Sequence, residues 1–210
     1  MKLGKWRVEY TVTLMAALTL VLLICPFSLK STVQANNISR WKATYNKIAY
    51  AHDAIHKQEL SDMLNGLKNA QNIEEKEERL LTIIKPYFRL SENKVLKKYK
   101  VKYMNKEKMQ PSDYYFIKDY YFTDNNIIVG IKDLPNNNDG NFKFMMTFDV
   151  NGLLPPNMWG KDVFGIIFYS DKVEAIGKEM TIENQYENCS PVNTGVGCSN
   201  YYLIGGNFNE

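Results

Sequence analysis

The stretch EYTVTLMAALTLVLLICPFSL, residues 9–29, decides the expected fold, because it joins one carboxylate to a long uncharged run. As a helix, the run from Tyr10 to Leu29 would rise about 30 Å, which is the thickness of a bilayer's hydrocarbon core. A charge at the edge of a span costs less than the ~3 kcal/mol that it costs at mid-membrane, so Glu9 is compatible with one. The sequence therefore predicts a transmembrane helix over residues 10–29.

The apolar run passes into an amphipathic stretch. Its apolar residues are mostly three or four positions apart, which places them on one face of a helix: Ile38, Trp41, Tyr45, Ile48 and Ile55. We expect one long helix that continues from the span through residues 30–70, with a kink at Pro26, since proline removes an amide donor.

The rest of the chain predicts one α+β domain over residues 30–210. Acidic residues precede an apolar face over Ile73–Lys85, which predicts a second helix that ends before Pro86. Apolar and aromatic runs predict a sheet within residues 112–210, with strands at 114–122, 127–131, 142–150 and 163–169. The expected architecture is a long helix, transmembrane in its first half, packed on a small antiparallel sheet.

Charge and motifs exclude several functions. The chain has 26 basic and 23 acidic residues, so its total charge does not favour nucleic acid. The sequence contains no nucleophile elbow, phosphate loop or dinucleotide fingerprint. We therefore expect no enzyme activity.

Two cysteines near the C-terminus can form a disulfide. Cys189 and Cys198 are close in sequence, and Gly195 and Gly197 between them supply turn freedom. Such a bond favours a domain outside the cytoplasm.

Two patterns resemble metal sites. His52 and His56 are four residues apart on one helical face, but no third ligand is identifiable, so we expect a solvated pair. Asp149, Asn151 and Asp162 offer oxygen ligands and begin like a calcium loop, but position twelve from Asp149 is glycine. An Asn151-Gly152 turn explains this segment better, so we expect no cofactor, with calcium as the less favoured alternative.

The segment DVNGLLPPNMWGKDVF, residues 149–164, together with the N-terminal run and the C-terminal cysteines, resembles a group of bacterial type IV pilin-like and pseudopilin-like proteins. The resemblance implies cleavage by a prepilin peptidase after Gly4, with Lys5 as the new N-terminus. It also implies that Glu9 pairs with the α-amine of a neighbouring subunit during assembly. The implied function is a non-enzymatic subunit of a type II secretion pseudopilus or type IV pilus.

The implied location is the bacterial inner membrane, with a single span and an extracytoplasmic domain. The implied partners are other pilin-like subunits, inner-membrane assembly components, the peptidase and membrane lipid, with no nucleic acid.

Two alternatives stay open. A basic start and the small-residue sequence at 33–35 are compatible with a signal peptide, while an unprocessed chain would be a simple anchor. In either case the domain could be a binding module of the cell envelope that contacts glycans or a protein. The tyrosines that motivate it are Tyr114, Tyr115, Tyr120 and Tyr121.

Overall fold

The computed structural model describes residues 3–57, 67, 69–94, 99–134 and 143–207. Within these ranges, the side chains of residues 3–9, 21–30, 56–57, 73 and 92–94 lie outside the description. The chain divides into two compact units, Met1–Asn36 and Asn37–Glu210. The sheet and the main hydrophobic core belong to the second unit.

The first helix, α1, runs over Leu3–Lys57 and contributes residues to both units. In the first unit, every described side chain of Tyr10–Leu20 is exposed. In the second unit, Trp41, Ile48 and Ile55 are buried in the main core, and Ile38 and Tyr45 pack against it. The predicted apolar face of this part of the helix is therefore confirmed.

The predicted membrane span is wrong. Among the residues described, we find no helix that combines the length and the apolar character needed to cross a bilayer. This finding overturns the transmembrane helix over residues 10–29 and the single-pass location in the inner membrane. The predicted fold class, a pilin-like domain whose long helix has a transmembrane first half, is contradicted with it.

The sheet has six antiparallel strands arranged in chain order, which is a simple meander. The strands are β1 Leu90–Lys94, β2 Tyr120–Thr123, β3 Ile128–Asp133, β4 Lys143–Asp149, β5 Val163–Tyr169 and β6 Val173–Ala175. The strand over 163–169 lies where the sequence predicts it. The sequence does not predict the two edge strands, β1 and β6, because both are short. Residues 114–119 lie outside β2, and Tyr114 and Tyr115 are in a turn.

Both faces of the sheet are covered. In β4, Phe144, Met146 and Phe148 belong to the core that also contains the buried residues of α1. Met145 belongs to a second cluster on the other face, with Trp159. Because side chains alternate along a strand, a central strand covered on both faces is apolar almost continuously, as the sequence of β4 is.

The second helix, α2, runs over Ile73–Phe88 and continues past the proline that was expected to end it. Asn72 caps its start by accepting the Glu75 amide at 2.8 Å. Pro86 lies in the last turn, where the loss of one amide donor is tolerated, and the extra turn brings Phe88 into the core at 4 % exposure. The helix ends where Arg89 adopts a left-handed conformation.

Two short helices follow the sheet, α3 over Ile182–Asn188 and α4 over Cys198–Leu203. Thr181 caps α3 by accepting the Asn184 amide at 3.2 Å. Tyr202 of α4 is fully buried and donates its hydroxyl to the Gly160 carbonyl at 3.1 Å. The C-terminal segment is therefore part of the core.

Candidate functional site

Among the described side chains of the first unit, those of Tyr10–Leu20 form an uncharged, exposed part of α1, which we call the exposed half-helix. Successive residues turn by about 100° in a helix, so Leu14 and Leu18 lie on one side and Val12 and Leu20 on the opposite side. Leu14 and Leu18 are 66 % and 57 % exposed, and Val12 and Leu20 are 63 % and 61 % exposed. Apolar side chains therefore lie on opposite sides of this segment, and its polar residues, the three threonines, are uncharged.

The predicted processing and assembly residues precede this segment. Gly4, Lys5 and Glu9 belong to α1, but their side chains lie outside the described part of the chain. Cleavage at Gly4 and the pairing of Glu9 therefore stay predictions.

A buried hydrogen-bonded cluster surrounds the two aspartates of the loop predicted from the sequence. Asp149, at the end of β4, is 1 % exposed, and its Oδ2 accepts the Tyr99 hydroxyl at 2.6 Å. Its Oδ1 accepts the Asn151 amide at 3.2 Å. With the Asn157 side-chain amide oriented so that both of its polar atoms are satisfied, its Nδ2 donates to Asp149 Oδ2 at 3.2 Å and to the Leu154 carbonyl at 2.8 Å.

The second aspartate holds the loop that precedes β5. Asp162 is fully buried, and its Oδ1 accepts the Met158 amide at 2.6 Å. Its Oδ2 accepts the Asn157 amide at 2.9 Å and the Asn151 side-chain Nδ2 at 3.2 Å. These bonds close the loop between β4 and β5, so Asp162 acts as an internal cap for backbone amides.

Burial perturbs both carboxyl groups. Burial, and then the negative charge of Asp162, raises the pKa of Asp149 to about 8, although the bond from Tyr99 acts in the opposite direction. Burial also raises the pKa of Asp162 to about 6, against the lowering effect of the Met158 and Asn157 amides. The pair therefore carries close to one negative charge at neutral pH.

The arrangement fits a structural brace better than a calcium site. Each of the four carboxylate oxygens already faces an N–H or O–H donor, and a cation would have to displace those donors. Within the described residues there is no group of three or more His, Cys, Asp or Glu side chains that could hold a metal. Gly152 adopts φ +75°, as a turn after Asn151 requires.

The first histidine of the predicted solvated pair is buried instead. His52 is 5 % exposed, its Nε2 lies 3.2 Å from the Tyr169 carbonyl, and its ring meets the edge of Phe168 at 5.0 Å. The solvated pair is therefore wrong for His52, because α1 turns this position towards β5. The side chain of His56 lies outside the description.

The predicted disulfide is present. Cys189 and Cys198 are bonded, with Cα atoms 5.2 Å apart, and both are fully buried. Asn188 supports the same loop, because its Oδ1 accepts the Gly197 amide at 2.8 Å. The bond thus joins the end of α3 to the start of α4.

Replacing both cysteines by serine is expected to lower the free energy of unfolding by about 2–3 kcal/mol, because the short closed loop restricts the unfolded chain. Urea unfolding with and without the replacements measures the difference, and Cys25→Ser, outside the bonded pair, is the control. Equal unfolding midpoints for the double variant and the unchanged protein would contradict a stabilising role for the bond.

No match to this chain emerges from comparison with protein-family models, curated proteins or solved structures. Its function must be argued from its own residues.

The four tyrosines of the predicted binding surface separate into two groups. Tyr120 and Tyr121 are each 8 % exposed and belong to the two core clusters. Tyr114 is 50 % exposed, and it lines an open cleft together with Tyr115. Only the second pair is therefore available to a ligand.

The sequence analysis did not identify Tyr99 as a member of the aspartate cluster. Tyr99 lies between lysines in the sequence, and its hydroxyl reaches Asp149, 50 residues further along the chain. Burial, followed by the charge of Asp149, raises the pKa of its hydroxyl well above the ordinary value. No local sequence pattern predicts this contact, because the two residues are 50 positions apart in the chain.

Proposed function

We propose that the protein is a non-enzymatic subunit that assembles with further copies into a filament, of the kind that type IV pilins and type II secretion pseudopilins form. The observation that supports this proposal is the exposed apolar half-helix Tyr10–Leu20. The resemblance of residues 149–164 to pilin-like proteins points in the same direction.

The distribution of apolar side chains favours several neighbours over one. A helix that packs on a single partner needs one apolar stripe, whereas a helix that is apolar on all sides is normally surrounded. Helices of several copies, bundled around one another, would cover both the Leu14 side and the Val12 side. A repeated head-to-tail contact of this type builds an open assembly when its rotation does not close a ring.

The resemblance also assigns roles within this assembly. Glu9 would pair with the α-amine at Lys5 of an adjacent copy after cleavage at Gly4. Such a pairing would remove an isolated charge from an apolar bundle, where an unpaired carboxylate is costly.

The test introduces a charge into the half-helix. Leu18→Glu is expected to weaken self-association at least about 100-fold, because a carboxylate buried between apolar helices loses its hydration. Sedimentation velocity over a range of concentrations measures the association, and electron microscopy shows whether the assembled species are regular filaments.

Val192→Glu is the matched control, since Val192 is an equally apolar residue, 78 % exposed, in the second unit. It should assemble as the unchanged protein does. A protein that stays monomeric at every concentration, or Leu18→Glu that assembles normally, would refute the proposal.

A further inference from the structure

An open cleft with a volume of about 330 Å³ lies beside β5 and β6. Its floor includes Ile176, which is 5 % exposed. Three tyrosines and four charged residues line its walls: Tyr114, Tyr115, Tyr169, Lys143, Lys178, Glu174 and Glu179. Aromatic surface and several polar groups thus converge on one concave site, as in small-ligand pockets.

The tyrosine wall is held in place by its surroundings. The Lys132 ammonium donates to the Tyr114 carbonyl at 2.7 Å and fixes the turn that carries both tyrosines. The rings of Tyr114 and Tyr115 stand at 89° with centroids 5.1 Å apart. The Tyr115 ring also meets Trp159 of the buried cluster at 5.7 Å. Because these contacts hold Tyr114 and Tyr115 in place, the two side chains need little rearrangement to bind a ligand. This preorganisation lowers the entropic cost of binding.

Burial raises the pKa of each of the three tyrosine hydroxyls in the cleft. Glu179 is the second cause of the raised pKa of Tyr114, after burial. At Tyr115, the charge of Glu179 follows burial and Tyr114 as a cause of the raised pKa. At Tyr169, Glu179 contributes to the raised pKa after burial and Glu174. The three hydroxyls therefore remain protonated at neutral pH, where each can both donate and accept a hydrogen bond.

The charges of the residues that line the cleft balance, and Lys172, against Glu174, adds one cation beside it. Lys143 and Lys178 contribute two cations, and Glu174 and Glu179 contribute two carboxylates. Glu174 already accepts the Lys178 ammonium at 2.9 Å and lies 3.3 Å from that of Lys172. A strongly anionic ligand would face the two carboxylates, and a strongly cationic ligand would face the two ammonium groups. The balance favours a ligand that is polar and uncharged.

We infer that this cleft binds a neutral saccharide. The half-exposed ring of Tyr114 has the Lys132 ammonium over it, 5.8 Å from its centroid, and its remaining apolar surface can meet the C–H face of a sugar ring. The hydroxyls, carboxylates and ammonium groups supply partners for the sugar hydroxyls. The volume lies at the low end for ligand sites and suits one or two sugar rings. This inference does not depend on self-assembly, because all of the residues involved belong to the second unit.

The test titrates the full-length protein with glucose, galactose and N-acetylglucosamine and with lactose and N,N′-diacetylchitobiose. Tryptophan fluorescence reports on Trp159, which touches Tyr115, and calorimetry gives the affinity. At least one of these sugars should bind with a Kd on the order of 0.1–10 mM, a range expected of a small open site. Tyr114→Ala should weaken that binding about tenfold, because it removes the exposed aromatic face.

Tyr50→Ala is the matched control, since Tyr50 is an exposed tyrosine of α1 outside the cleft, and its variant should bind as the unchanged protein does. Lys143→Ala tests the polar wall and should weaken binding without altering the unfolding midpoint. The inference fails if none of the five sugars binds saturably, or if Tyr114→Ala binds as well as the unchanged protein. Tighter binding of sialic acid or glucosamine than of the neutral sugars would overturn the neutral preference.

Discussion

Trp41→Ala is expected to lower the free energy of unfolding by about 3–5 kcal/mol, the range for removing a large aromatic side chain from a core. Trp41 is fully buried, and its ring stacks on Phe164 at 5.2 Å. Its indole Nε1 donates to the Ser199 carbonyl at 2.8 Å. The substitution therefore leaves a cavity between α1, β5 and α4 and removes the hydrogen bond to the Ser199 carbonyl.

Urea unfolding followed by far-ultraviolet circular dichroism measures this loss. Tyr50→Ala, on the same helix but 72 % exposed, should change stability by no more than about 0.5 kcal/mol. Trp41→Phe should fall between the two, since it keeps an aromatic ring but removes the Nε1 donor. A Trp41→Ala protein as stable as Tyr50→Ala would show that the second part of α1 does not belong to the core.

Raising the pH from 5 to 8 is expected to lower the free energy of unfolding by about 5 kcal/mol, of which about 3–4 kcal/mol comes from Asp149. The pKa of Asp149 rises from 3.8, its ordinary value, to about 8 in the folded protein. Between these two values the native state holds a proton that the unfolded chain has released. Stability therefore falls as pH rises, by up to about 1.4 kcal/mol per pH unit. The pKa of Asp162, raised to about 6, adds a smaller loss of the same sign below pH 6.

Urea unfolding at pH 5, 6, 7 and 8, at one protein concentration, measures this dependence. Asp149→Asn removes the titrating group and should reduce the fall to about 1 kcal/mol, the share left to Asp162. Added calcium should leave the midpoints unchanged at each pH, because protein donors already occupy the carboxylate oxygens. A stability that rises from pH 5 to pH 8 would contradict the assigned protonation of Asp149.

Local sequence patterns were sufficient to predict the elements in which buried residues recur at a regular spacing. The apolar positions of α1 from Ile38 to Ile55 meet one core, because a helix repeats every 3.6 residues. The sequence also predicted the strand over Val163–Tyr169. It predicted the start of α2 at Ile73 from the acidic residues of the first turn. The disulfide followed from two cysteines close in sequence with glycines between them.

Predictions failed where packing outweighed local preference. Pro86 did not end α2, since the core gains Phe88 from one more turn. His52 was expected in solvent and is buried beside Phe168. The membrane span rested on the composition of residues 10–29 alone, and composition does not distinguish a helix that meets lipid from one that meets other protein.

The sequence by itself determined the apolar face of α1, the central strands and the cysteine pair, because each depends on residues that are near one another in the chain. The tertiary structure alone decided the protonation of Asp149 and the shape of the tyrosine cleft. Tyr99 meets Asp149 across 50 residues, and the cleft joins the turn at Tyr114 to the segment after β6. No regular spacing of residues in the sequence predicts either contact, because both depend on the order of the strands and on burial. Burial in turn changes the charge that a carboxyl group carries.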